Sequence, residues 1–310
     1  MKSIVSLIKG NNRYDNIKRS LAILESEIKT KIQGKKKILV KPNCVAIRAD
    51  RAEAVTHIDA LRAVLDFIFA IKDKEARVIV GEDSGVGDTA EAFKNFGYLD
   101  LPRQYDLELR ALDNDEGAAI KVYSKSLKRD LTQHIFRAFL DSDFRIAVGP
   151  PKTHDAVILT LSLKNMVIGA LKEKYKTGSR NFHQGPKALH LTIAYLAKII
   201  PPNLAVIDGF HAMEGNGPSA GNIVPLHLVL ASCDFLAADS IMARIMGFNP
   251  KDIGYLYYCD KLKLGNMDLA QIKIKGNTSL KDNIHKFKPH LTYFLQKRWK
   301  INNRIRNNEL

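Results

Sequence analysis

The sequence predicts an α/β protein with a mostly parallel sheet, or sheets, and helices on both faces. Short apolar runs rich in Val, Ile and Leu alternate with stretches whose apolar residues recur every three or four positions. The first pattern is typical of strands buried on both faces, and the second of the helices that cover them. Polar, glycine-containing loops follow several of these strands, where open parallel sheets bind ligands.

The elements are predicted in order from this periodicity. The first half has strands at Ile4–Ile8, Lys37–Lys41, Arg77–Val80 and Leu107–Leu112, and helices over about Ile17–Ile32, Ile58–Ile71 and from a Thr89 cap to just before Gly97. Further strands are predicted at Ile120–Tyr123, Arg145–Val148, Leu204–Ile207 and Val224–Leu230, and helices at Lys187–Ile199, Phe235–Met246 and Pro250–Leu264.

The domain organisation follows from charge and composition. Residues 1–280 are predicted to form one α/β unit, or two lobes that meet near residues 150–225, followed by a basic helical tail over 281–310. In this tail Leu291, Phe294, Leu295 and Trp299 are predicted to form one apolar stripe.

Charge, cysteine content and hydropathy exclude several classes of protein. Of the net charge of +15, the first 41 residues carry +8 and residues 281–310 carry +6, so the middle is nearly neutral. Three separated cysteines argue against a disulfide-stapled secreted fold and an intrachain iron–sulfur cluster, and favour a cytoplasmic location. No apolar run reaches the roughly 20 residues that a spanning helix needs.

Polar residues directly after the predicted strands are the first candidates for a binding site. We expect them to bind a small anion that carries a phosphate or carboxylate, because lysine and amide groups and a glycine loop before a helix suit that chemistry. The predicted substrate-binding residues are Lys41, Asn43, Ser84, Lys152, Lys164, Asn165 and Asn216.

The loop over residues 208–222 is the most specific segment, since it packs glycines and polar side chains directly behind a strand. Its Asp208, His211 and Glu214, with His154 after an earlier strand, are the predicted catalytic groups. Asp83, Asp208 and Glu214 could instead hold a divalent metal. Turn hydrogen bonding by Asp208 and Asn216 is the alternative interpretation of this loop.

Several motifs together resemble the domain of unknown function 362 family. They are Lys41-Pro42-Asn43, the EDSGVGD loop, PPKTHDAVILTLSLKNMVIGALK, and IDGFHAMEGNGPSAG with the following helix, spanning about residues 36–276. Family members often carry an iron–sulfur module, but this chain lacks the cysteine cluster, so no such cluster is implied. A fainter similarity to the N-terminal lobe of nickel-pincer lactate racemases, at Lys152, His154 and Lys164, implies a two-lobed α/β fold more than it implies nickel.

Three function hypotheses remain open at this point, and the third is that the C-terminal tail docks on a partner or a membrane surface while the body catalyses. The first is an enzyme that binds a small anionic substrate in a polar cleft, with or without a divalent metal. The second is a nucleic-acid or anionic-surface binding protein that uses its basic termini, with Phe287, Tyr293, Phe294 and Trp299 available for stacking. The sequence leaves the oligomeric state open.

Overall fold

The structure is a computed structural model that describes residues 2–84, 86–172 and 183–301. The strands in this part of the chain are β1 Ser3–Lys9, β2 Lys37–Lys41, β3 Arg77–Glu82, β4 Leu107–Ala111, β5 Gly117–Val122, β6 Leu131–Phe136, β7 Phe144–Gly149, β8 Lys152–His154, β9 Ile158–Thr160, β10 Leu204–Gly209, β11 Ala212–Glu214, β12 Asn222–Val224, β13 Leu228–Ser232 and β14 Ile272–Gly276.

The α-helices in the described ranges are α1 Arg13–Ile23, α2 Glu25–Ile32, α3 Ile58–Ile71, α4 Thr89–Asn95, α5 Leu101–Gln104, α6 Arg137–Leu140, α7 Ser162–Gly169, α8 Pro186–Ala197, α9 Phe235–Ile245, α10 Gly254–Lys261 and α11 Tyr293–Gln296. None of the helices in these ranges is long and apolar enough to cross a lipid bilayer.

Eight strands form one large sheet in the order β14-β1-β13-β10-β7-β2-β3-β4. Every neighbouring pair is parallel except the two that involve β13, which runs against β1 and β10. Seven strands therefore place their carboxyl ends at one edge of the sheet. The predicted fold class, a mostly parallel sheet with helices, is confirmed.

The chain reverses its direction of travel across the sheet between β2 and β7. From β2 it proceeds outward to β3 and β4, and from β7 it proceeds to the other side through β10 and β13. The loops beyond the carboxyl ends of two such strands diverge and leave a crevice, which is where doubly wound sheets bind ligands. Lys41 ends β2, and the segment from Pro150 follows β7 at this position.

A smaller sheet in the order β12-β11-β8-β9 lies beyond this edge. β8 follows β7, and β11 follows β10, after two residues each, and the two short strands pair in parallel through Met213 and Lys152. The small sheet thus extends the two central strands past the crevice.

Two apolar cores cover the two faces of the large sheet, as continuous strand hydrophobicity predicts. Alternate residues of each strand contribute to opposite cores, since Ile38 and Val40 pack with α1–α3 whereas Leu39 packs with α7–α10. Apolar side chains point to both sides of the sheet, so no strand in its centre shows a solvated face.

Several predicted elements need correction. The single helix predicted over Ile17–Ile32 is two helices, α1 and α2, that meet at Leu24, whose ψ of 2° breaks the helix. The predicted strand Val224–Leu230 is divided into β12 and β13 around Pro225, which lacks an amide proton. The predicted helix Pro250–Leu264 is a 3₁₀ turn followed by α10, and Asp88 rather than Thr89 caps α4.

The described part of the C-terminal segment packs against the body of the protein. Asn283, Phe287, Gln296 and Trp299 are buried. The predicted apolar stripe is wrong for Trp299, which faces the core, whereas its other members, Leu291, Phe294 and Leu295, are exposed. The division at residue 280 stays a prediction, and residues 302–310 lie outside the described residues.

Candidate functional site

A buried ion pair lies at the carboxyl edge where β2 and β3 end. Lys41 Nζ is 2.5 Å from Glu82 Oε2, and both side chains are buried. The ammonium also donates to the Pro42 carbonyl oxygen, at 2.7 Å, and reaches Asn165 Oδ1 on α7, at 3.4 Å. Burial raises the pKa of Glu82 to about 7 despite the neighbouring ammonium.

Two amides connect this pair to a second buried lysine. Asn43 Nδ2 donates to Asn165 Oδ1 at 3.0 Å, and Lys152 Nζ donates to Asn43 Oδ1 at 2.6 Å. Lys152 also donates to the Ala54 carbonyl oxygen at 2.7 Å. Glu82, Lys41, Asn165, Asn43 and Lys152 therefore form one continuous hydrogen-bond chain, called the inner network below.

The Lys152 amine lies in an environment that disfavours its charged form. Its side chain is 0 % exposed. In the described part of the chain, its two hydrogen-bond acceptors are the amide and carbonyl oxygens of Asn43 and Ala54. Burial, followed by repulsion from Lys164, holds the pKa of Lys152 well below that of an ordinary lysine.

Two glycines make this close assembly possible. A Cβ at Gly169 would lie 2.2 Å from Lys41 Cε, so any side chain on the last residue of α7 would displace the lysine. A Cβ at Gly149 would lie 3.0 Å from Asn43 Cβ. A side chain at Gly169 would therefore move the Lys41 amine out of the inner network, and one at Gly149 would press against Asn43.

His154 lies on β8, two residues after Lys152, and is also buried. Its Nδ1 is 2.9 Å from Asp155 Oδ1. Burial, with Lys164 nearby, lowers the pKa of His154 to about 3, so the imidazole is neutral near pH 7. Such an imidazole can orient a ligand by hydrogen bonding, but it is poorly suited to the acid–base role predicted for it.

A cavity of about 260 Å³ lies beside this histidine–aspartate pair, and Asp155, His183, Leu189 and Gln296 are among the residues that line it. A larger cavity of about 580 Å³ lies where β2, β3 and β4 begin, at the opposite edge of the sheet. Its position is far from the carboxyl ends on which the candidate site is built.

Asp208, at the end of β10, belongs to a second polar group. Its Oδ2 is 3.0 Å from Nε of Arg13, at the start of α1, and both side chains are largely buried. Burial raises the pKa of Asp208, and Arg13 opposes this effect. Arg13 also lies over the ring of Phe210, at 4.9 Å from its centre.

His211 and Glu53 form a partly exposed pair in the same region. The distance from His211 Nδ1 to Glu53 Oε2 is 2.8 Å. Burial lowers the pKa of His57, and the charges of Arg13, Asp208 and Glu53 also act on it. We call Arg13, Glu53, His57, Asp208 and His211 the outer group.

Segment 54–56 joins the inner network to the outer group. Thr56 Oγ1 accepts from the Asn43 backbone N–H at 2.7 Å and donates to the Val148 carbonyl at 2.8 Å. The Ala54 carbonyl accepts from Lys152. This connection fixes the ends of β2 and β7 relative to His57.

The remaining predicted residues are more dispersed. Glu214 Oε2 accepts from the Lys288 backbone N–H at 2.8 Å, and Asn216 is exposed. Ser84 is buried and donates to the Gly87 carbonyl, an ordinary turn contact. Gly85 of the predicted anion loop lies outside the described residues.

The structure does not bring Asp83, Asp208 and Glu214 into one metal-binding group. Within residues 2–84, 86–172 and 183–301, no cluster of three or more His, Cys, Asp or Glu side chains could hold a metal ion. Asp208 instead pairs with Arg13. We derive no chemical step through a metal.

Sequence reasoning gave no site role to Glu82, Arg13, Glu53 or His57. Glu82 is the first residue of the EDSGVGD loop and the last residue of β3, so the rule of polar residues at strand ends does mark its position. Arg13 and Glu53 meet their partners across 195 and 158 residues, and no local pattern marks such pairs.

The fold and site define an α/β protein with a buried lysine–amide network at the switch point of a doubly wound sheet. A family model described as domain of unknown function (DUF362) matches residues 38–244, about two thirds of the chain. The chain belongs to this family, and the predicted resemblance is confirmed. The matched region contains every residue of the inner network.

Two known proteins are similar to this chain. A thylakoid-associated protein of Synechocystis is 25% identical over 230 residues, which cover 74% of this chain and 68% of that protein. The solved lactate racemase apoprotein of Thermoanaerobacterium thermosaccharolyticum matches with a TM-score of 0.50 at 17% identity. That match covers 74% of this chain but only 54% of the racemase chain, and it shows a shared fold.

Proposed function

We propose that the protein is an enzyme that binds a small carboxylate- or phosphate-bearing substrate at the β2/β7 crevice and transfers a proton there. The observation that carries the proposal is the inner network, in which the fully buried Lys152 amine bonds Asn43. Asn43 in turn bonds Asn165 of α7, next to the Lys41–Glu82 pair of β2 and β3. Burying such an amine opposite neutral acceptors destabilises the fold, and such costs concentrate at functional sites.

Lys152 is the proposed proton-transfer residue. Its lowered pKa leaves a larger fraction of uncharged amine near neutral pH than an exposed lysine has. An uncharged amine carries a lone pair that can accept a proton from a substrate. Asn43 Oδ1 and the Ala54 carbonyl fix the direction of the amine protons and thereby orient this lone pair.

Lys41 and Glu82 are the proposed charge-balancing pair. With its pKa raised to about 7, Glu82 can hold or release a proton near neutral pH at the far end of the network. Asn165 and Asn43 connect this pair to Lys152.

An anionic substrate would complete the electrostatics of the crevice. Lys164, which is half-buried and repels Lys152, is the proposed contact for the anion. A bound anion would favour the charged form of Lys152 and so make its amine a stronger base, and the fraction of complexes in which the amine takes its proton from solvent gives a proton uptake near neutral pH. Direct anion contacts in a partly dehydrated site supply the binding energy.

The experiment is a heat-shift screen of the full chain against small anions, followed by calorimetric titration of the best ligand. The screen includes inorganic phosphate, phosphate monoesters and small 2-hydroxy acids, the last because a solved structural neighbour is a lactate racemase. We expect one ligand to raise the melting temperature. At a ligand concentration of a hundred times Kd, the free energy of unfolding should increase by about 2.7 kcal/mol. Titrations in buffers of different ionisation enthalpy report the proton uptake.

The control variants separate the site from the surface. Lys152→Met removes the amine, and we expect it to abolish both the stabilisation by the ligand and the proton uptake. Lys94→Met, on the exposed face of α4, removes the same charge and should leave both unchanged. The proposal fails if no anion in the screen stabilises the protein, or if Lys152→Met binds the ligand as tightly as the wild type does.

Some of the residues on which the nucleic-acid alternative rests are engaged within the fold. Two of the aromatic residues available for base stacking, Phe287 and Trp299, are buried. Two lysines of the basic tail, Lys297 and Lys300, pair with Asp252.

A further inference from the structure

Exposed apolar side chains are concentrated in one part of the described chain. Eleven large apolar side chains are exposed among the described residues, and five of them lie between residues 284 and 301. These five, which we call the C-terminal apolar face, are Ile284, Leu291, Phe294, Leu295 and Ile301. Leu291 and Phe294 are the most exposed, at 80% and 82%. Concentrated apolar exposure of this kind marks an interaction surface.

The face belongs to a segment that is firmly attached. Gln296 Nε2 donates to the His154 carbonyl oxygen at 2.8 Å, and Trp299 Nε1 donates to the Asp252 carbonyl oxygen at 3.0 Å. Thr292 Oγ1 donates to the Asp155 carbonyl oxygen at 2.6 Å. These anchors hold the segment in place, so the outward side chains are ordered before they meet a partner, which reduces the entropy lost on binding.

The charge of the same segment has one sign. Residues 283–301 contain five Lys or Arg and no Asp or Glu. Lys286, Lys288 and Arg298 are exposed beside the apolar side chains. Lys297 and Lys300 are balanced by Asp252 and contribute less. An apolar face with basic residues around it is complementary to a surface that is apolar below and anionic above.

We propose that the C-terminal apolar face docks the protein on an anionic lipid surface. Phe294, Leu291 and Leu295 enter the boundary between headgroups and acyl chains, and Lys286, Lys288 and Arg298 contact the headgroup phosphates. A nucleic acid would offer stacking bases rather than an apolar layer, and it would leave the exposed leucines in water. The surface is separate from the inner network, so this proposal stands independently of the proposed enzyme activity.

The experiment is co-sedimentation of the full chain with vesicles. One set contains phosphatidylcholine alone, and in the other about a third of the lipid is phosphatidylglycerol. We expect binding to the anionic vesicles that weakens as salt is added, because screening reduces the contribution of the lysines. Leu291→Ser with Phe294→Ser should lower the partition coefficient at least about tenfold. Lys286→Ser with Lys288→Ser should lower it about 25-fold.

Two matched control variants remove the same kinds of side chain elsewhere on the surface. Leu99→Ser changes another exposed leucine, and Lys36→Ser with Lys74→Ser removes two exposed lysines outside the segment. Both should bind vesicles like the wild type.

The proposal is overturned if the wild type does not bind the anionic vesicles at low salt, or if the doubly substituted Leu291 and Phe294 variant binds them equally well. Sedimentation velocity and a duplex-DNA shift assay are run on the same samples. A dimer that this variant dissociates, or DNA binding, found without vesicle binding, would assign the face to that other partner instead.

Discussion

At the scale of single residues, Lys152 couples the candidate site to the stability of the fold. An amine whose pKa is lower in the folded state than in the unfolded state binds fewer protons when folded. Stability therefore rises with pH between the folded and unfolded pKa values of the amine. The destabilisation is largest below the folded value and disappears above about pH 10.4, the unfolded value.

The first prediction concerns this pH dependence. We expect Lys152→Met to remove part of the rise in the free energy of unfolding between about pH 7 and about pH 10, since Met cannot titrate. Urea denaturation at the two pH values measures it. Lys94→Met is the control and should keep the wild-type rise. Identical slopes for Lys152→Met and the wild type would show that the amine titrates normally.

The sequence predicted the lysines and amides of the inner network but not the electrostatics that join them. Lys41, Asn43 and Lys152 were accessible to prediction because each lies at or just beyond a strand end. That Glu82, rather than Asp83, meets Lys41 depends on which side of β3 each residue faces at the end of a buried strand. The outer group depends on pairs of residues far apart in the sequence, such as Arg13 and Asp208.

At the scale of elements, helix α7 is fixed by a carboxylate from another helix. Asp239 of α9 is fully buried and accepts from the Ser162 N–H at 3.0 Å, the Ser162 hydroxyl at 2.5 Å and the Leu163 N–H at 3.1 Å. Burial raises the pKa of Asp239 to about 7. Because α7 carries Lys164 and Asn165, this carboxylate positions two predicted site residues.

The second prediction compares the same substitution at two helix starts. Asp239→Asn should destabilise the protein by about 1–3 kcal/mol, since an amide nitrogen would face an N–H that the carboxylate now satisfies. Asp88→Asn, at the exposed cap of α4, should change stability by only a few tenths of a kcal/mol, because Asn and Asp cap equally well. Chemical denaturation of both variants measures the difference. Equal losses in the free energy of unfolding would mean that burial does not increase the cost of replacing Asp239.

Most elements were predictable because their apolar periods are local properties of the sequence. The exceptions have local physical causes. The strand β6 was missed because its Thr132, Gln133 and His134 are polar and because it pairs with β5 in a small sheet apart from the large one. Helix α7 was missed because its apolar residues run on from β9 without a turn signal, and its cap comes from Asp239, 77 residues away.

At the scale of the whole molecule, the C-terminal segment closes one core. Trp299 is 1% exposed and packs against His190, Tyr257 and Tyr258, which belong to α8 and α10. Burial lowers the pKa of His190 to about 3, and its Nδ1 accepts from the Tyr255 N–H at 3.1 Å. A segment that was predicted to be a basic tail thus completes the packing between two helices.

The third prediction tests this closure. Trp299→Ala should reduce the free energy of unfolding by roughly 3–5 kcal/mol, the usual cost of removing a buried tryptophan. Phe294→Ala, five residues earlier but 82% exposed, should change it by less than about 0.5 kcal/mol. Guanidinium denaturation distinguishes them. A loss below about 1 kcal/mol for Trp299→Ala would mean that the segment detaches without consequence for the core.

The position of β1 in the large sheet determines when this strand can form its hydrogen bonds during synthesis. This strand lies between β13 and β14. It pairs with residues 228–231 of β13 on one side and with residues 272–276 of β14 on the other. On the ribosome, β1 has neither of these neighbours until β13 and β14 have been made. A nascent chain that stalls before β14 therefore exposes strand edges prone to aggregation, and β1 needs chaperone protection for longer than the strands it pairs with.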